Sequence, residues 1–371
     1  MQSEDNKSIE KGLILKGQTL SELKEYFSSI DEKRFRGEQI FNWMYRHLAD
    51  SYDEMDSVPK ILRTKLSEIT GPINTLKLVT KTASPKSGTT KFLFETLDGN
   101  KIESVVIPEE DRTTLCLSTQ VSCPLDCKFC ATGLMGYKKN LSAGEIFDQY
   151  KLVSKEYEKG TIKNIVYMGM GEQLINFEQT LKSLCIFAEN IDTSIRLKRI
   201  SVSTAGITPK IIELADSGLK VKIAFSLHSC FDDIRSRLMP INEKYPLKEN
   251  LRAIHYYAKK THTRISFEYV MIDSINDREE DFFKLAKICK SLPCKINVIP
   301  YNSLEHMNPT GFSAELKPTP KERIEAFVEA LREQNIIVTV RFTQGDDIAA
   351  ACGQLAYPES AFLSKRHLNL R

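Results

Sequence analysis

Cys123, Cys127 and Cys130 lie in CPLDCKFC, separated by three and then two residues, directly after an apolar run, TLCLS, that reads as a strand. A tetrahedral zinc site usually takes two such cysteine pairs, or a Cys/His pair downstream, and neither follows at a usable spacing. Iron–sulfur clusters are held by cysteine thiolates, and three thiolates leave one iron of a 4Fe–4S cluster open. An open iron can chelate the amino and carboxylate groups of S-adenosylmethionine (SAM) and pass an electron to its sulfonium. Homolysis then yields a 5′-deoxyadenosyl radical able to take hydrogen from an unactivated carbon. Phe129, the aromatic residue before the last cysteine, belongs to the same signature.

Two further thiols have suggestive settings. Cys116 lies on the strand before the cradle, and Cys352 lies in GDDIAAACGQL, where Ala350, Ala351 and Gly353 leave room around it. Each reads either as a buried structural cysteine or as a nucleophile at the mouth of a barrel. Glu103, on an earlier strand, reads as a base or as an ordinary surface residue. Cys185, Cys230, Cys289 and Cys294 are isolated and read as small buried hydrophobes. A Gly-Met-Gly-Glu stretch, 169–172, suits close approach of backbone to the amino group of SAM.

The elements that must position these residues follow a strand–helix alternation. Candidate strands are 114–118, 164–169, 199–204, 221–227, 264–272 and 295–301, with helices at 142–158, 177–190, 208–217, 247–260, 279–291 and 319–334, the last leading to a final strand, IVTVRF (337–342). A Ser142–Glu145 capping box starts the first helix. Six βα units predict an α/β partial barrel whose C-terminal strand ends carry the chemistry. Before it, 75–107 reads as a short antiparallel unit, KFLFETL then KIESVVI, with turns at Ser87-Gly88 and Asp98-Gly99-Asn100. Residues 18–70 read as a small helical unit with Ser21 as a cap and a face carrying Arg34, Arg36, Arg46 and His47. That face suits docking of RNA or plain solvation equally. The expected division is a flexible 1–17, a helical RNA-binding accessory domain 18–72, a β-hairpin connector 73–110, the partial barrel 111–345, and a tail 346–371.

The chain has 371 residues, 41% hydrophobic and 27% charged, which fits one large soluble domain with an appendage. No apolar run approaches the roughly 20 residues of a membrane span, and the polar N-terminus resembles no secretory leader. These features predict a cytoplasmic protein with reduced cysteines. A net charge of +3 permits an RNA partner without requiring one.

The sequence resembles the RlmN/Cfr radical SAM RNA methyltransferases, and most closely the RlmN type. The likeness runs through KRFRGEQIFNWMY, PEEDRTTLCLSTQVSCPLDCKFCATG, GMGEQLIN, STAGI, FSLH, LMPINEKYPL, EYVMIDSIND and GDDIAAACGQL. It implies that Cys123, Cys127 and Cys130 hold the cluster and that SAM is contacted by Gly171, Glu172, Ser203, Ser226, Leu227, His228 and Asn302. It further implies two SAM molecules per turnover. One methylates Cys352, and the radical from the other takes hydrogen from that methyl group. The carbon then adds to an adenine, Glu103 removes the ring proton, and Cys116 attacks the Cys352 sulfur to release the methylated base and leave a transient disulfide.

The implied substrates are an adenosine of 23S rRNA at the peptidyl-transferase centre and adenosine 37 of tRNAs, modified at C2. A flavodoxin or ferredoxin is the implied electron donor, and the protein is expected to be a monomer away from membranes. Cfr-type methylation at C8, and a radical SAM enzyme acting on something other than RNA, are the competing readings. A colourless zinc or RNA-binding protein is the non-enzymatic one. Ser122, Gln173, Ser303 and Gln344 depart from the family's usual Gly, Pro, Pro and Arg, which bears on loop geometry.

Overall fold

The structure is a computed structural model that describes residues 13–110, 112–189, 195–341 and 344–356. Residues 1–12 of the expected flexible start, Asp111 of PEEDR, Phe342 of the last strand and 357–371 of the tail lie outside the described residues.

Three helices come first: α1 (Leu20–Ser29), α2 (Phe35–Tyr45) and α3 (Lys60–Ile69). The cap of α1 is Thr19, not Ser21: its hydroxyl accepts from the Glu22 amide while Glu22 accepts from the Thr19 amide, 2.9 Å. This reciprocal box satisfies two otherwise orphaned amides. Phe27, Ile40, Phe41, Met44 and Tyr45 form the unit's core. The basic face is partly spent internally, since Arg46 donates to the Glu189 carbonyl and His47 packs on Trp43.

The strands are β1 (Leu76–Ala83), β2 (Thr90–Thr96), β3 (Lys101–Glu109), β4 (Arg112–Leu117), β5 (Gln120–Val121), β6 (Lys139–Asn140), β7 (Ile162–Tyr167), β8 (Ile200–Thr204), β9 (Lys222–Ser226), β10 (Ile265–Met271), β11 (Cys294–Pro300) and β12 (Val338–Val340). Ten of them form one sheet in the order β1-β2-β3-β4-β7-β8-β9-β10-β11-β12. From β4 onward every pairing is parallel, and β12 falls within IVTVRF, the strand expected after the last helix. β1 to β4 pair antiparallel. The extension is thus three-stranded and continuous with the barrel's sheet, whereas two strands were expected.

Helices α4 (Ala131–Leu134), α5 (Ala143–Ser154), α6 (Phe177–Glu189), α7 (Thr208–Asp216), α8 (Asp232–Leu238), α9 (Ile241–Lys244), α10 (Leu247–Thr261), α11 (Glu279–Cys289), α12 (Phe312–Glu315) and α13 (Lys321–Glu333) complete the chain. The Ser142–Glu145 box caps α5. The short α8 and α9, between β9 and α10, were not anticipated. The fold is an α/β partial barrel with an N-terminal helical unit and a β extension, as expected.

Barrel and helices are joined by a buried ion pair. Lys16 meets Asp148 of α5 at 3.0 Å with both side chains fully enclosed, and Asp148 also accepts from the Thr75 amide and hydroxyl. Burial lowers the Lys16 pKa, and Asp148 works against that. No helix among the described residues is long and apolar enough to cross a membrane.

Candidate active site

The cysteine loop follows β4 and β5 at the C-terminal end of the parallel strands. Asp126 turns the chain through a left-handed conformation, φ 52°, and the Cys130 amide closes onto the Cys127 carbonyl at 3.1 Å. Burial raises the pKa of Cys123 to about 12, and the Leu125 and Glu172 amides that point at its sulfur oppose the shift. Cys127 is held well above its usual value by burial and then by Cys123 and Cys130. The three thiols thus lie within electrostatic reach of one another, each half-buried in the loop. No group of His, Cys, Asp or Glu among the described residues is arranged to hold a single ion. In a cubane cluster each thiolate binds its own iron, so the three sulfurs must surround a cluster and need not converge on a point. A donor set of thiols alone, deprotonated on binding, fits that group.

The loop after β7 approaches this cradle closely. Gly171 has φ 109°, and a Cβ there would meet the Gln120 amide nitrogen at 2.9 Å, so only glycine fits. Glu172 is buried, and its carboxylate accepts from Thr204 Oγ1 and the Ala205 amide, both at 2.8 Å. Burial raises its pKa, with those donors opposing. Ser203 on β8 and Ser226 on β9 are partly open to the mouth. Leu227 is fully enclosed: its amide donates to the Glu268 carbonyl, and its own carbonyl accepts from Arg235 and Ser229. It presents no free polar atom. His228 is buried and left-handed, accepts from the Val270 amide at Nδ1, and packs edge-on against Phe129 of the cysteine loop. Burial, then Arg235, depresses its pKa to about 3, which leaves the ring neutral.

The tail brings Cys352 to the same mouth. The Ala131 amide donates to the Gly353 carbonyl at 2.7 Å, Thr132 Oγ1 to the Leu355 carbonyl at 2.6 Å, and Asn302 Nδ2 to the Cys352 carbonyl at 3.0 Å. Gly353 has φ 80°, with Phe129 O 3.2 Å from where a Cβ would stand. Cys352 is exposed at this mouth.

Cys116 is buried on β4, opposite Val105 of β3. Its sulfur accepts from the Met168 amide. Burial pushes its pKa to about 12, and a charge on Cys352 would push it further. The two thiols are thus within electrostatic reach of each other, with Arg341 hydrogen-bonded to Cys352 and set against Met168, whose amide points at the Cys116 sulfur. Glu103, two residues before Val105, shares the face of Cys116 because strand side chains alternate. It is buried, not a surface residue. Lys91 holds Oε1 at 3.1 Å, while Oε2 has no hydrogen-bond partner. Burial raises its pKa, with Lys91 opposing.

Sequence reasoning missed Arg341, which donates a hydrogen bond to Cys352, approaches Met168 Sδ at 3.6 Å, and lies 3.7 Å from Glu268. The signal was its place near the end of IVTVRF, two residues after Thr339 and so on the same face of that strand. It also missed Lys91 and Arg235. Among the isolated cysteines, Cys230 and Cys289 are buried as expected, and Cys185 and Cys294 are partly exposed.

A family model described as the ribosomal RNA large subunit methyltransferase N-terminal domain matches residues 14–71, and the radical SAM superfamily model matches 117–286. A probable dual-specificity RNA methyltransferase RlmN from Thermotoga sp. (strain RQ2) is 44% identical, covering 90% of this chain and 94% of that one. A dual-specificity RNA methyltransferase RlmN from Alcanivorax borkumensis is 38% identical over 92% of this chain and 89% of its own. The crystal structure of a radical SAM methyltransferase from Sphaerobacter thermophilus superposes with a TM-score of 0.83 at 41% identity, covering 92% of this chain and 99% of that one. With the cysteine cradle and the strand-end loops in place, these likenesses mean that the chain belongs to the RlmN family of radical SAM RNA methyltransferases.

Proposed function

We propose that the protein methylates C2 of adenosine in 23S rRNA at the peptidyl-transferase centre and of adenosine 37 in tRNAs, through a methyl group first carried on Cys352. The observation that carries this reading is the mutual proximity of Cys352 and Cys116 at the barrel mouth, outside the cluster cradle. An ordinary methyl transfer from SAM to a nucleophile needs no such pair of thiols. Adenine C2 is electron-poor and does not attack a sulfonium methyl, so a radical route through a protein-bound carbon answers the chemistry.

Cys123, Cys127 and Cys130 would hold the 4Fe–4S cluster, which supplies the electron that cleaves SAM to a hydrogen-abstracting radical. Gly171, Glu172, Ser203, Ser226 and Asn302 border the space for SAM, with His228 and Leu227 supporting from behind. Cys352 takes one methyl group as a thiolate. A second SAM is spent in activating that group toward the base, so two are used per turnover. Glu103, ionised against Lys91, receives the ring proton at its unpartnered Oε2. Cys116, as a thiolate, attacks the Cys352 sulfur, the bond from that sulfur to the product carbon breaks with its electron pair left on carbon, and that carbon takes up a proton to become the methyl group. The one electron left over from radical addition would go back to the cluster, and an external dithiol reduces the Cys116–Cys352 disulfide by exchange.

In this reading 18–72 is an RNA-docking domain and 73–110 a connector that delivers Glu103. The barrel spans 111–345, and 346–371 carries the methyl acceptor. A flavodoxin or ferredoxin feeds electrons, and the enzyme works as a cytoplasmic monomer. The target base is presented unstacked, as base chemistry requires. Mass spectrometry of rRNA and tRNA from a deletion strain and its complement tests the proposal. Loss and restoration of 2-methyladenosine is the expected result, and loss of 8-methyladenosine would assign the C8 reaction instead.

A further inference from the structure

Arg235 is the largest fully enclosed side chain among the described residues. Its Nε donates to the Leu227 carbonyl at 3.1 Å, Nη2 to the carbonyls of Ala205 at 2.6 Å and Ser226 at 2.9 Å, and Nη1 to Asn242 Oδ1 at 2.5 Å. Every one of these acceptors is neutral. Asp232, one turn earlier on α8, spends Oδ1 on Asn242 and the Leu247 amide. Hydrogen bonds alone do not repay the burial of a charge, which needs an opposite charge nearby. Burial depresses the Arg235 pKa to about 10, and the strongest opposing influence is Cys127, ahead of Asp232 and Cys230.

The helix that carries Arg235 is built against the cysteine loop. The Lys128 amide donates to the Leu238 carbonyl at 2.9 Å, and Ile234 and Leu238 pack with Cys123, Cys127 and Phe129. Three thiolates around a 4Fe–4S cluster carry net negative charge in both oxidation states, and reduction adds one more. The guanidinium lies within electrostatic reach of Cys127, on the helix bonded to that loop.

We propose that Arg235 is the buried counter-charge of the iron–sulfur site, raising the reduction potential of the cluster held by Cys123, Cys127 and Cys130. Net charge around a cluster is one of the terms that sets its potential. The same side chain pins the carbonyls that follow β8 and β9, so charge compensation and the floor of the SAM space are one device. Arg235 is a positioning residue and touches neither SAM nor RNA in this reading. The inference rests on the family's cluster chemistry, not on which base or carbon is methylated.

The test is the midpoint potential of the reconstituted holoprotein, followed by electron paramagnetic resonance during a redox titration. Arg235→Met, similar in volume and uncharged, is expected to load iron and to show a more negative midpoint than the wild type. Its cluster-free form is expected to melt lower than the wild type, because the carbonyls of Ala205, Ser226 and Leu227 lose their donor, so the midpoint is compared at equal iron content. Arg235→Lys keeps the charge and should hold the midpoint near the wild-type value. Should the methionine variant not fold, Asn242→Asp sets a carboxylate against the guanidinium in place, and the midpoint should again fall. An unchanged midpoint in either neutralised protein, at full iron content, would overturn the inference. Wild-type protein that took up no cluster would overturn it as well, together with the cluster reading itself.

Discussion

Asn302 donates from Nδ2 to the carbonyl of Cys352 at 3.0 Å, so the end of β11 holds the backbone of the reactive tail in place. A hydrogen bond of this kind contributes about 1 kcal/mol. Asn302→Ala is therefore expected to leave the fold intact while loosening the tail. Timed alkylation with iodoacetamide, read by peptide mass spectrometry, should show Cys352 labelled severalfold faster. Equal labelling rates would mean that the clamp is set elsewhere.

Cys116→Ala is expected to stall the reaction with RNA bound covalently to protein, since nothing remains to attack the Cys352 sulfur. A nuclease-sensitive band of raised mass on a denaturing gel is the readout. In the wild type the Cys116 thiol, pushed to about 12 by burial, is almost wholly protonated near pH 7. Its thiolate fraction rises tenfold per pH unit, so single-turnover release of product should accelerate from pH 7 to 9. Once the Cys352 sulfur is a thioether, its opposition to Cys116 ionising is removed, and burial remains.

Glu103→Gln should lower methylation by roughly two to four orders of magnitude, the usual range for a general base. Stability should move the other way. Glu103 has its folded pKa raised by burial, so it favours the folded state most while protonated. That contribution is present at acid pH and lost as pH rises through the raised value. Glutamine does not ionise. Urea midpoints of the variant relative to wild type should therefore improve between pH 5 and pH 8.

Asp148→Ala leaves Lys16 charged, enclosed and unpaired, and also strips the Thr75 amide and hydroxyl of their acceptor. Breaking a buried pair from one side costs about 3–5 kcal/mol. Denaturant unfolding should report that loss, and Lys16→Met should recover part of it in the double variant. Simple additivity of the two would show the pair to be uncoupled.

Ser122 occupies a left-handed conformation, φ 66°, with its hydroxyl buried and unpartnered. Ser122→Gly relieves that strain, worth about 1–3 kcal/mol, and loses up to about 1 kcal/mol to the greater freedom of the unfolded chain. A net gain in thermal stability with unchanged iron content is expected from calorimetry.

The cysteine loop, the βα alternation and the loops at the strand ends were legible because each repeats a local rule: cysteine spacing, period-two strands, capped amphipathic helices. β1 was not, because LKLVTKTA is exposed along most of its length and lacks the apolar alternation that marks a strand. The turns of α8 and α9 are short and lie among Pro240 and Pro246, so no helical period has room to show. Arg235, Arg341 and Lys91 escaped for a different reason. A charged residue in sequence looks like a solvated one, and only long-range packing turns it inward. Glu103 shows the limit most clearly, since its burial depends on a strand pairing with β4 and on a tail some 250 residues further on.

Because β1, β2 and β3 continue the sheet of the barrel, no hinge separates Glu103 from Cys116. Backbone ladders fix their spacing as firmly as two jaws cast in one piece. The enzyme thus works as a gauge of set width. In the proposed reaction, fitting falls to the RNA, whose loop would have to open far enough to bring one base to residues whose spacing does not yield.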